Sequence, residues 1–162
     1  TLTAATKTFN LAGLQNSLIV IPDKTIRARF DAYLKKNRIT PSNPMGYIAV
    51  EAAYRGGAAW AKECRRQIYE NFELLRDTLA ARAPKAVVSP LEGTYLMWVD
   101  LGAYVKAEEM KDFMERRCGL AVDYGEWFGG ERFGTFIRLN LATSRELVQA
   151  AADKLCAALE QC

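Results

Sequence analysis

Histidine is absent from all 162 residues. That removes the imidazole of a Ser-His or Cys-His nucleophile and the commonest nitrogen ligand of a zinc site. Cysteine is sparse: Cys64, Cys118, Cys156 and Cys162 are widely spaced, with no C-x-x-C pair. Zinc-ligand spacing is therefore excluded, and reduced thiols are expected, two or three of them in cores. No apolar run approaches the ~20 residues of a membrane span and no basic-then-apolar leader is visible, so neither a membrane nor a secretory route is expected, and the chain reads as cytoplasmic. The 22 basic and 19 acidic residues leave a net charge of +3 without a concentrated basic stripe, so nucleic acid is not an expected partner. The chain opens on Thr1 without an initiator methionine, and is expected to be a piece of something longer.

What is present is a folding chain, half apolar by count and without internal repeats. Ser17-Leu-Ile-Val-Ile21 is a short β-rich run. Pro22-Asp23 then stops the strand and caps a helix expected from Lys24 to Asn37, with Ile26, Phe30, Tyr33 and Leu34 at helical spacing. Pro41 to Pro44 reads as a loop, and a long helical pattern follows from about Gly46 through Arg82. Trp60, Cys64, Ile68, Phe72, Leu75 and Leu79 hold one face of it, and Gly56-Gly57 marks a kink. Such a helix could join two domains.

Beyond Pro84 the texture changes to short β runs at 86–89, 94–99, 120–122 and 135–141, alternating with two helices. The first helix carries Met110, Phe113 and Met114. The second opens on Thr143-x-x-Glu146, a capping-box pattern, and carries Leu147, Ala151, Leu155 and Leu159. This order predicts a small α/β sandwich whose sheet is covered on one face.

Two residues carry candidate chemistry. Lys7 sits among small and hydroxyl residues, where a confined pocket would lower the amine pKa and ready it for a Schiff base; Thr3, Thr6 and Thr8 could offer hydroxyls to a phosphate. Arg138 lies in Phe136-Ile-Arg-Leu-Asn140, where alternation puts Ile137 and Leu139 on one face and the guanidinium on the other, able to grip a carboxylate with two parallel hydrogen bonds. On spacing alone each is outweighed by a plainer reading: a solvated lysine for the first, and an exposed strand arginine or an interdomain salt bridge for the second. Gly125-Glu-Trp-Phe-Gly129 and Gly93 to Trp98 read as a structural turn and a strand entry. Gly129-Gly130 is a turn and not a phosphate loop.

In combination the motifs carry more. Thr6-Lys-Thr-Phe-Asn-Leu-Ala-Gly-Leu14, Glu92-Gly-Thr-Tyr-Leu-Met-Trp98, Gly125-x-x-Phe-Gly129 and Phe136-Ile-Arg-Leu-Asn-Leu141, in this order, resemble the second half of fold-type I pyridoxal-phosphate enzymes of the class I/II aminotransferase superfamily. The closest likeness is to the MalY/PatB-type cystathionine β-lyase and cystalysin-like branch. The resemblance implies pyridoxal 5′-phosphate as cofactor and an amino acid as substrate. It makes Lys7 the Schiff-base lysine and Cα-proton base, Thr6 a phosphate contact, and Arg138 the ligand of the substrate α-carboxylate.

It further implies a division into the tail of a large domain (1–45), a connecting helix (46–83) and a C-terminal small α/β domain (84–162). Family features expected ahead of the lysine (an aspartate for the pyridine nitrogen, a stacking aromatic and a glycine-containing phosphate turn) are not matched in these residues. The isolated piece is therefore expected to be inactive, and the parent enzyme to be a homodimer with Pro41 to Tyr47 near its interface. Ala4 stands where the wider superfamily has a serine, and Gln15 where it has a phosphate arginine; the second departure fits the lyase-like branch. Carbon-sulfur β-elimination is thus the leading expectation. An aminotransferase and a non-catalytic regulatory module are the alternatives.

Overall fold

The computed structural model describes residues 1–39 and 43–162. They form two compact units, Thr1–Glu63 and Cys64–Cys162.

In the first unit β1 (Leu2–Thr3) pairs antiparallel with β2 (Leu18–Ile19), the observed core of the predicted 17–21 strand. Helix α1 (Lys24–Lys36) starts where expected, because the Asp23 carboxylate accepts from the Ile26 amide at 2.8 Å. Pro41 and Ser42 of the predicted loop lie outside the described residues. Asn43 and Pro44 do not continue a loop: Asn43 caps α2 (Pro44–Gly56), accepting from the Gly46 amide, and Pro44 takes the first turn, where a missing N–H costs nothing. The single kinked helix expected from Gly46 to Arg82 is instead two helices, α2 and α3 (Ala58–Arg82), separated at Gly57. A Cβ on Gly57 would strike both the Ala53 carbonyl and the Phe9 ring, so only glycine lets Phe9 close on the junction. The boundary between the two units falls within α3.

The second unit is built on a four-stranded antiparallel sheet, order β3-β4-β6-β5, from β3 (Val87–Val88), β4 (Leu96–Asp100), β5 (Asp123–Tyr124) and β6 (Phe136–Asn140). One face buries Met97, Val99 and Ile137 against Phe72, Leu75 and Leu79 of α3 and Leu155 and Leu159 of α6 (Arg145–Leu159). The α/β sandwich is thus observed. Buried Asn71 ties its parts together, its amide donating to the Leu141 and Thr143 carbonyls at 2.9 and 3.0 Å.

Three local expectations are corrected. The helix carrying Met110, Phe113 and Met114 is a composite: a 3-10 turn (Ala107–Glu109), α4 (Met110–Asp112) and a π-helical stretch (Phe113–Arg117). Its last turn closes through Cys118 N–H to Phe113 and Leu120 N–H to Met114, with Gly119 at φ 62°. That ending holds Leu120 out of the ladder, so the strand predicted at 120–122 pairs only at Asp123–Tyr124. The cap of α6 is Ser144, not Thr143, whose carbonyl is engaged by Gln67 and Asn71; the Ser144 hydroxyl accepts from the Leu147 amide at 3.4 Å.

Among the described residues no helix is long and apolar enough to cross a membrane.

Candidate functional site

Lys7 and Thr6 belong to the first unit and Arg138 to the second, so each environment is built separately. Residues 5–10 make a tight turn in which the Phe9 amide donates to Ala5 and the Leu11 amide to Thr6, and Asn10 takes φ 55°. Phe9 anchors the turn, stacked on Trp60 at 6.2 Å and edge-on to Tyr54 at 5.8 Å. Ala5 is buried beneath it. Thr6 is half-buried, whereas Lys7, Thr8 and Thr3 are exposed. The small residues around Lys7 thus allow a tight turn without closing a pocket over its amine. Beyond the turn Gln15 takes φ 50°, and the Leu14 carbonyl accepts from the Asn43 side-chain Nδ2 at 2.7 Å, fixing the segment to the start of α2.

Arg138 occupies the middle of a row that crosses three strands: Trp98 on β4 is its register partner on one side, Asp123 on β5 on the other. This is the sheet face opposite the helical core, as alternation predicts, with neighbouring Ile137 fully buried on the core side. The guanidinium Nε and Nη2 both donate to Asp123 Oδ2, at 2.9 and 2.7 Å. Its carbon lies 4.2 Å from the centre of the Phe128 ring, within cation–π range. Phe128 belongs to α5 (Glu126–Gly129) and also meets Trp98 edge-on at 5.8 Å; Trp98 stacks on Phe136 at 5.4 Å. The salt bridge is therefore made within the sheet, with the arginine side chain 29 % exposed.

The Gly125-x-x-Phe-Gly129 segment, read from sequence as a structural turn, delivers Phe128 to Arg138. Gly125 is required for steric reasons, since a Cβ there would strike the Phe133 carbonyl and Phe136. Asp123 was not a candidate, because its pairing with Arg138 emerges only from the β5–β6 register. Behind it Tyr124 points into the core side and donates to Glu115 at 3.1 Å; burial, then that bond, pushes its hydroxyl up to about 12. Burial likewise pushes the Cys118 thiol up to about 11, the character of an inert core cysteine. Among the described residues no group of three or more acidic or cysteine side chains is placed to hold a metal ion.

No family model matches the sequence. The chain is 34% identical over 160 residues, 98% of its length, to the cystathionine β-lyase PatB of Bacillus subtilis. Its fold superposes on cystalysin from Treponema denticola, which contains a pyridoxal 5′-phosphate cofactor, with a TM-score of 0.89 at 31% identity over 99% of this chain. The pyridoxal-phosphate-bound C–S lyase from Staphylococcus hominis matches with a TM-score of 0.86 at 30% identity over 98% of the chain. In each case the chain spans about two-fifths of the relative: 41% of PatB, 41% of cystalysin and 40% of the C–S lyase.

Proposed function

We propose that this chain, which corresponds in sequence and fold to the C-terminal part of a fold-type I pyridoxal-phosphate enzyme, comes from a carbon–sulfur β-lyase acting on cysteine conjugates such as cystathionine. The observation that carries the reading is the similarity over 98% of the chain to a cystathionine β-lyase, a match that takes in both the Lys7 turn and the Arg138 strand. The donor set fits the cofactor. Lys7 presents a primary amine, the group with which an aldehyde condenses, on a turn held rigid by Phe9, and the Thr6 hydroxyl beside it is a donor for a phosphate oxygen.

When bound, pyridoxal phosphate supplies an electron-withdrawing ring that makes the substrate Cα–H acidic. Lys7 would hold the cofactor through its amine, and its free Nζ would take the substrate Cα proton. Arg138 binds the α-carboxylate and so orients the substrate. Expulsion of the sulfur as a thiol would leave aminoacrylate, and water would hydrolyse its imine tautomer to pyruvate and ammonia. Gln15, in place of a phosphate arginine, supports this branch over ordinary aminotransferases. The same reading divides the chain into a large-domain tail (1–45), a connecting helix (46–83) and a small domain (84–162). It makes the parent a cytoplasmic homodimer and leaves residues 1–162 inactive by themselves, given that the relatives are more than twice as long.

The test is an assay of the full-length enzyme with cystathionine. Pyruvate release that falls about 10³-fold in Lys7→Ala supports the reading. Transfer of an amino group to a keto acid with no pyruvate from cystathionine assigns an aminotransferase instead. Neither activity, with full-length protein folded, points to the regulatory module.

A further inference from the structure

We infer that Asp123 and Phe128 are positioning residues that pre-set Arg138 to receive a substrate carboxylate end-on. The inference rests on Arg138 being the carboxylate ligand of the proposed lyase. An arginine side chain gives up rotamer freedom when it is fixed on binding. Here that freedom is already spent. Two donors of one guanidinium edge, Nε and Nη2, converge on Asp123 Oδ2, and the Phe128 ring packs at 4.2 Å from the guanidinium carbon. The ion pair and the ring contact together restrict how the guanidinium can turn.

The edge that remains is the end-on fork, formed by Nη1 and the second hydrogen of Nη2. Among the described residues nothing bonds Nη1, while the side chain keeps 29 % of its surface accessible. A planar carboxylate meets such a fork with two parallel hydrogen bonds. Because Asp123 already balances the guanidinium charge, attraction depends on these directed bonds more than on net charge, which favours a correctly placed α-carboxylate over an arbitrary anion.

Full-length enzyme separates the possibilities through KM and kcat for cystathionine, together with calorimetric binding of propionate as a non-reacting carboxylate. Asp123→Ala is expected to raise KM and the propionate Kd roughly tenfold with kcat within about threefold, a loss of ground-state binding. Asp123→Asn retains an oxygen acceptor and is expected to restore most of both. Phe128→Leu is expected to raise KM about threefold, in line with a lost cation–π contact. If Arg138→Ala weakens both constants while Asp123→Ala and Phe128→Leu leave them unchanged, the positioning role is overturned and the carboxylate role of Arg138 stands. A lower KM in Asp123→Ala would make Asp123 a competitor for the guanidinium and also overturn it. Unchanged constants in Arg138→Ala would remove the reading on which the inference rests. Should Asp123→Ala fail to fold, Phe128→Leu decides alone, an unchanged KM being the overturning result.

Discussion

Helices α1 and α6 have nearly the same length, 13 and 15 residues, and both carry apolar side chains at helical spacing with a capping residue in front. Their fates differ. Helix α6 buries Val148, Ala152, Leu155, Cys156, Ala158 and Leu159 in the core of the second unit, whereas α1 buries none, with Ile26 58% and Tyr33 61% exposed. An apolar stripe thus states that a helix can be packed, and a covering surface is what makes the stripe worth energy. The second unit supplies that surface through β4, β6 and α3. Among the described residues of the first unit, Ala5, Asn16, Gly46, Val50 and Ala61 are buried, in a chain that spans about two-fifths of its relatives.

The contrast is broken or sharpened most strongly by truncation. In the 162-residue chain Leu79→Ala and Leu155→Ala, each 1% exposed, are expected to cost about 2–5 kcal/mol, against about 0.5 kcal/mol or less for Ile26→Ala. Urea denaturation followed by circular dichroism measures this, and equal costs at the three sites would erase the distinction.

A smaller effect is expected at Asn71, which is buried and holds two carbonyls of the segment before α6. Asn71→Ala leaves both without that donor and should cost about 1–3 kcal/mol. Hydrogen exchange should then show accelerated opening of α6, with α1 unchanged. Acceleration in α1 alone would contradict the assignment of Asn71 to the second unit.

The smallest effect is a pH dependence. In the fold the Tyr124 hydroxyl is raised to about 12 from 10.0, so the folded state holds a proton that the unfolded chain releases earlier. The resulting stability is fully present below pH 10 and lost as pH rises through 12. Melting temperatures should therefore fall less steeply across that window in Tyr124→Phe than in the parent sequence. Parallel curves would remove Tyr124 from the alkaline limb.

How far the sequence could be read follows the range of the interactions involved. The start of α1 was legible because Asp23 acts on an amide three residues away. The β6 alternation was legible for the same reason, since Ile137 and Arg138 must face opposite ways. The split at Gly57 was half legible: two glycines announced an interruption, but the Phe9 ring that occupies the space comes from a segment far away in sequence. The cap of α6 was misplaced by one residue because Thr143 is engaged through its carbonyl by side chains of α3, a partner that spacing cannot reveal.

The sequence by itself determined the start of α1, the alternation of β6, the two candidate residues Lys7 and Arg138, and the motif string that resembles a known enzyme class. Those features depend on local backbone preference and on residue identity. Only the tertiary structure decided that Arg138 meets Asp123 within its own sheet and lies against Phe128, and that Lys7 stands exposed on a turn anchored by Phe9. Strand register and side-chain packing bring together groups distant along the chain, and their geometry is set by the whole unit at once.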